Sequence, residues 1–152
     1  MYQLRESMLF GKYMGKSPAQ IVLQDPNWLY QWAEKGKPRN SIEQWLLKVA
    51  TKARAIRLRP LDGVEQVVNY TFDQSVGRLV AVNISPCTEP VHQECSRTVD
   101  LSYSQRFNPQ DTLGGQLLAR TVRIHLFGQG VRITRKLADD FFANDENFVI
   151  GE

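Results

Sequence analysis

Apolar positions along the chain follow two different rhythms, with the change falling near residue 60. In the first part the spacing is helical. Ser17-Pro18-Ala19-Gln20 combines a hydroxyl N-cap, proline at the first helical position and an amide three residues on, the pattern of a capping box. Asp25-Pro26 repeats the cap-plus-proline signal, and Trp28, Leu29 and Trp32 then put their bulk on one helical face, with Gly36 as the stop. After the basic connector Lys37-Pro38-Arg39-Asn40, a third helix is expected from Asn40 or Ser41 to about residue 57. Its apolar stripe is Ile42, Trp45, Leu46, Val49, Ala53 and Ile56. Ile56-Arg57-Leu58-Arg59 also alternates as a strand would, and Asp62-Gly63 suits a hairpin turn. Met1–Ser7 reads as a polar lead-in or the start of a first strand.

From about residue 64 the period becomes two. Val68, Tyr70 and Phe72 alternate with polar neighbours, DQSVG makes a loop, and Val80, Val82 and Ile84 return on one face of a β-hairpin. Residues 85–97 form a long loop with Pro86 and Pro90. Val99, Leu101 and Tyr103 predict a third strand, Val122, Ile124 and Leu126 a fourth, and Val131 and Ile133 a fifth beyond the turn Gly128-Gln129-Gly130. Asn108-Pro109 and Gly114-Gly115 mark irregular chain, and Arg135–Ala143 a short terminal helix. The expectation is an α+β protein. Its lobe 1–60 has a hairpin or turn and three helices, and its lobe 61–152 an antiparallel sheet with a short terminal helix.

Composition narrows the class. At 152 residues, 42% hydrophobic and 23% charged, the chain can build one full core or two small ones and is not wholly disordered. Two cysteines do not make a disulfide framework, no leader pattern opens the chain, and no apolar run approaches the ~20 residues of a membrane helix. A cytoplasmic protein without a membrane segment is expected. The net charge of +3 conceals a division: residues 1–60 hold 11 Lys+Arg against 4 Asp+Glu, residues 61–152 hold 8 against 12. A basic lobe points to a polyanionic partner, though lysine-rich helices are also commonly just solvated faces.

The densest candidate chemistry lies at residues 8–17. Met8-Leu9-Phe10 leads into Gly11-Lys12 and Gly15-Lys16, so both lysines sit on a short loop bent at glycines. Only three residues separate these glycines, where a nucleotide-binding P-loop has four, and no βαβ pattern follows; nucleotide hydrolysis is therefore not expected. The loop can still hold one backbone phosphate. Among the aromatic residues, Trp32 and Trp45 are expected in the core, and Tyr13 and Tyr30 as stacking rings for unpaired bases.

Cys87, His92 and Cys95 are competent zinc ligands in an unfamiliar spacing, short of a fourth ligand that Glu89, Glu94 or His125 would have to supply. Incidental thiols are the expectation, with no metal and no cofactor; a disulfide would need an oxidising compartment. If Val122, Ile124, Val131 and Ile133 point inward on strands, Arg123, His125 and Arg132 face outward together. Asp139, Asp140, Asp145 and Glu146 are acidic, but the adjacent pair diverges by about 100° on a helix and lacks the partners a nuclease metal site needs.

The run FGKYMGK, a helix, and then DPNWLYQW resemble the small domain at the C-terminus of exodeoxyribonuclease X, also found as a stand-alone domain in small bacterial proteins. The likeness covers about thirty residues, roughly a fifth of the chain. Met14 stands where that family usually has a basic residue, and Trp32 lies one position late. The resemblance implies association with DNA processing. The exonuclease's catalytic domain has no counterpart in the chain, so its activity does not carry over. The combined expectation is a non-enzymatic nucleic-acid-binding accessory protein, with DNA preferred to RNA. Lys12, Lys16, Lys48 and Lys52 would contact phosphates, Tyr13 and Tyr30 would stack, and Arg123 and Arg132 would extend the surface. Two alternatives remain: a module docking an acidic protein partner, and a small-molecule-binding sheet domain. Oligomeric state is left open.

Overall fold

A computed structural model describes Tyr13 and residues 15–33, 41–87 and 96–149. The expected Gly11 turn, Lys12, the Gly36 stop, the connector 37–40, His92 and Cys95 lie outside those residues. The fold is α+β: among the described residues, six helices and a 3-10 turn accompany two small antiparallel sheets.

The helical half follows its local signals. Ser17 caps α1 (Pro18–Val22): its Oγ accepts from Gln20 N at 3.2 Å, while Gln20 Oε1 accepts from Ser17 N at 3.0 Å, the reciprocal box that the sequence predicts. Helix α2 spans Pro26–Ala33 and α3 spans Ser41–Lys52. Helix α3 ends earlier than expected. The chain turns at Ala53–Ala55 and enters β1 (Ile56–Arg57), whose alternating burial is that of a strand. The residues Asp62 and Gly63 both take positive φ, 52° and 78°, and Leu61 and Val64 exchange two backbone hydrogen bonds of 2.9 Å across them. That is the backbone of a primed two-residue hairpin turn.

Strands β2 (Gln66–Asp73) and β3 (Arg78–Pro86) form the expected hairpin, with Tyr70 opposite Val82 and Val68 opposite Ile84. A bulge between Thr71 and Phe72 shifts the register, so that Phe72 pairs with Leu79. Leu79 is consequently the buried residue at that end and Val80 faces solvent, not inward with Val82 as the simple alternation implied.

The three further strands differ from expectation. Only Thr98–Val99 is extended as β4; it pairs with β1, while Ser96 just before it bridges Val68 of the hairpin. The chain then bends because Asp100 Oδ1 accepts from both Ser102 N (2.8 Å) and Ser102 Oγ (2.6 Å), a local turn that competes with a ladder. Tyr103 thus opens helix α4 (Tyr103–Phe107). Residues Thr112–Phe127 form the long helix α5 in place of a fourth strand. Leu118, Val122 and Leu126 are buried at four-residue steps with Ala119 beside them, whereas Ile124, which the strand reading turned inward, is exposed. The helical period over four turns outweighs a period of two seen at three residues. Val131 and Ile133 belong to no strand among the described residues, and α6 (Arg135–Ala143) matches the expected terminal helix, followed by a 3-10 turn at Asp145–Asn147.

One core joins the two expected lobes. Ile21, Leu29, Tyr30, Leu46 and Val49 from the first share it with Val68, Leu79, Leu118, Val122 and Phe142 from the second. A cluster of Phe141, Phe142 and Phe148 closes one side, with ring centroids 5.2–5.3 Å apart.

Candidate functional site

Two predicted site residues from opposite ends of the chain come together. Lys16 and Arg123 line a shallow recess of about 230 Å³ together with Gln20, Leu23, Gln24, Val131 and Ile133. No carboxylate is among these lining residues. Lys16 is exposed on the loop before α1. That loop is held from two sides: Lys16 N donates to Tyr13 O at 3.0 Å, and Arg135 Nη2 donates to Gly15 O at 2.8 Å. Gly15 has φ +90°, a conformation that strains residues with a Cβ, which explains glycine at this bend.

Arg123 reaches the recess from a helix, not from a sheet. Its Nη1 donates to the carbonyl of Leu23 beyond the end of α1. A guanidinium carries five N–H donors, so this bond leaves others to address a ligand. Burial first, and then the neighbouring Arg120, lower its pKa. An arginine remains charged through such a shift. The opposite wall is the segment after α5, where Gly128 and Gly130 both have positive φ. It lies against α1, with Gln20 Nε2 donating to Ile133 O at 3.2 Å. Arg132 is exposed between the two wall residues Val131 and Ile133.

The other predicted residues do different work. Tyr13 is only 7% exposed; its hydroxyl donates to Asp25 Oδ2 at 2.7 Å and its ring meets Trp28 edge-on at 5.0 Å. Desolvation and then the Asp25 carboxylate raise its pKa. Tyr30 is fully buried, donates to Ala50 O at 2.6 Å, and lies under the guanidinium of Arg54. Neither ring presents a face to a base, because a small helical core needs both as filling. Lys52 is likewise committed: its Nζ donates to Phe142 O at 2.7 Å and to Asp145 Oδ1 at 2.8 Å. Lys48 is exposed on α3 and does not line the recess. Trp32 and Trp45 are partly buried against the core. His125 is half-buried on α5; its Nε2 accepts from Arg59 N at 3.0 Å, and burial, followed by Arg59, lowers its pKa.

An exposed ring that sequence reasoning passed over is Phe107, 57% accessible at the end of α4. It extends a row in which Tyr103 stacks on Tyr70 at 3.9 Å and Phe107 contacts both Tyr103 and Phe72. The predicted third strand concealed it, since only the turn at Asp100 brings α4 over the hairpin. Among the described residues, no group of three or more His, Cys, Asp or Glu is placed to hold a metal ion, and no helix is long and apolar enough to cross a membrane. No protein-family model, curated protein or solved structure matches the chain.

Proposed function

We propose that the protein binds nucleic acid through backbone phosphates, with the recess between Lys16 and Arg123 as the main contact. The observation that carries this reading is the meeting of two cations in a recess lined by no carboxylate. A phosphodiester oxygen is the complementary group, since lysine offers a point charge and arginine a fork of donors. Arg120 beside Arg123 and Arg135 on the Gly15 carbonyl add to the field, which Asp139, held near Ser17 and Arg135, partly offsets. The resemblance of FGKYMGK and DPNWLYQW to the exodeoxyribonuclease X C-terminal domain supports DNA over RNA. The proposal takes the protein to be a non-enzymatic, cytoplasmic accessory factor of a bacterial DNA-processing system.

The test is affinity for oligonucleotides as a function of salt. Counterion release predicts a fall of about 0.7–0.9 log units in affinity per log unit of salt for each phosphate engaged. Three or four contacts are expected, roughly, and replacing Lys16 and Arg132 together by alanine should lower the slope by about one to two. Arg78→Ala, at the far hairpin, is the control. No salt-dependent affinity at low ionic strength would reject the reading. A protein-docking alternative has one observation in its favour, the exposed apolar side chains of Val76, Phe107 and Leu113. It predicts that replacing them, and not Lys16, abolishes partner binding.

A further inference from the structure

The recess is not uniformly polar. Lys16 and Arg123 supply charge and Gln20 and Gln24 supply amides, but Val131, Ile133 and Leu23 are aliphatic. Val131 is 45% exposed, although the same short segment carries the polar Arg132 and Thr134. A cation pair beside an aliphatic wall suits a ligand that is anionic at one end and flat and apolar at the other. A volume of about 230 Å³ admits a phosphate with part of its nucleoside. Bases expose their faces only when they are unpaired and unstacked.

We infer that the recess seats one unpaired nucleotide, its phosphate between Lys16 and Arg123 and its sugar and base against Val131 and Ile133, so that the protein prefers single strands to duplex. This rests on the nucleic-acid reading above and adds the strand preference to it. Gln24, exposed at the rim, is placed to donate to a base edge or a sugar hydroxyl. Gln20 is held to the fold through Ile133 O and keeps the wall in position.

The experiment compares the full chain against a short thymidine-rich single strand, the same strand annealed to its complement, deoxythymidine 5′-monophosphate, deoxythymidine and inorganic phosphate. Binding is followed by titration calorimetry and by NMR of the Val131 and Ile133 methyl groups. The single strand should bind at least about fivefold more tightly than the duplex, the low end of what one base contact contributes. The monophosphate should shift both methyl signals and compete with the strand, and deoxythymidine or inorganic phosphate should do so more weakly. Val131→Ala should weaken the monophosphate and the single strand while leaving inorganic phosphate unchanged, whereas Lys16→Ala should weaken all three. If the single strand and the duplex bind alike with the expected salt slope, and the methyl signals stay still, the inference is overturned and the phosphate-binding reading stands. If no oligonucleotide binds at low salt, both fall together.

Discussion

Asp111, the N-cap of helix α5, accepts a hydrogen bond from the backbone N–H of Leu79 on the β-hairpin at 2.8 Å, and so joins the helix to the sheet. The same carboxylate accepts from Gly114 N at 2.9 Å and from Ser104 Oγ at 2.8 Å. Its own carbonyl accepts from Asn27 Nδ2 at 2.7 Å, which brings α2 to the same point. Four elements therefore meet on one buried acid.

Asp111→Ala should be among the most destabilising polar substitutions. Loss of an N-cap costs about 1 kcal/mol. A buried N–H at Leu79 left without a partner costs roughly 1–3 kcal/mol more. The expected loss is therefore about 2–4 kcal/mol, read as a lower urea midpoint with an unchanged slope.

Gly115→Ala should destabilise although alanine is the better helix former. A Cβ there would lie 2.6 Å from Asn27 Oδ1, and Asn27 cannot withdraw without losing its bond to Asp111 O. The helical gain is about 1 kcal/mol, against roughly 1–3 kcal/mol for overpacking. Combining it with Asn27→Ala should recover part of the loss, and strict additivity in that double-mutant cycle would refute the contact.

Stability should decline on mild acidification through His125. Its folded pKa is depressed by burial and by Arg59, so the unfolded chain binds the proton more readily. The contribution is complete above the unfolded value of about 6.5 and is lost as pH falls from there through the folded pKa. Asp139 works in the opposite sense. Burial raises its pKa against hydrogen bonds to Ser17 and Trp45, so its penalty, full above the folded pKa, is relieved as pH falls towards the unfolded value. Urea midpoints measured between about pH 7.5 and 5 should fall for the wild type and flatten for His125→Asn.

Lys52 and Tyr13 should prove structural. Asp145→Ala should cost under about 1 kcal/mol, because that carboxylate is exposed and the pair is screened by solvent. Lys52→Ala should cost more, since it also removes the donor to Phe142 O and the cation over Phe148. Tyr13→Phe, which deletes the bond to Asp25, should lose roughly 1–3 kcal/mol of stability. Neither Lys52→Ala nor Tyr13→Phe should change the salt slope for oligonucleotide binding; a drop of one unit for Lys52→Ala would return that lysine to the interface.

The parts of this protein legible in its sequence are those whose causes lie within a few residues. The Ser17–Gln20 box, the Asp62-Gly63 turn, the β2–β3 hairpin and helix α6 each rest on a local hydrogen bond, a φ preference or a short alternation. Helix α5 also had local signals, Asp111 as cap and a four-residue apolar step, but its glycine pair read as loop. Gly114 and Gly115 are there because Asp111 and Asn27 crowd the space a side chain would fill, and Asn27 lies far away in sequence. Tertiary contact likewise decided the tyrosines and lysines. The charge or ring a residue carries is written in its identity, but whether it faces solvent depends on what packs against it. Tyr30 meets Ala50, Lys52 meets Phe142 and Asp145, and Arg123 meets the carbonyl of Leu23. The recess exists only because α1, α5 and the segment at 131–133 converge, a relation among elements that no local spacing encodes.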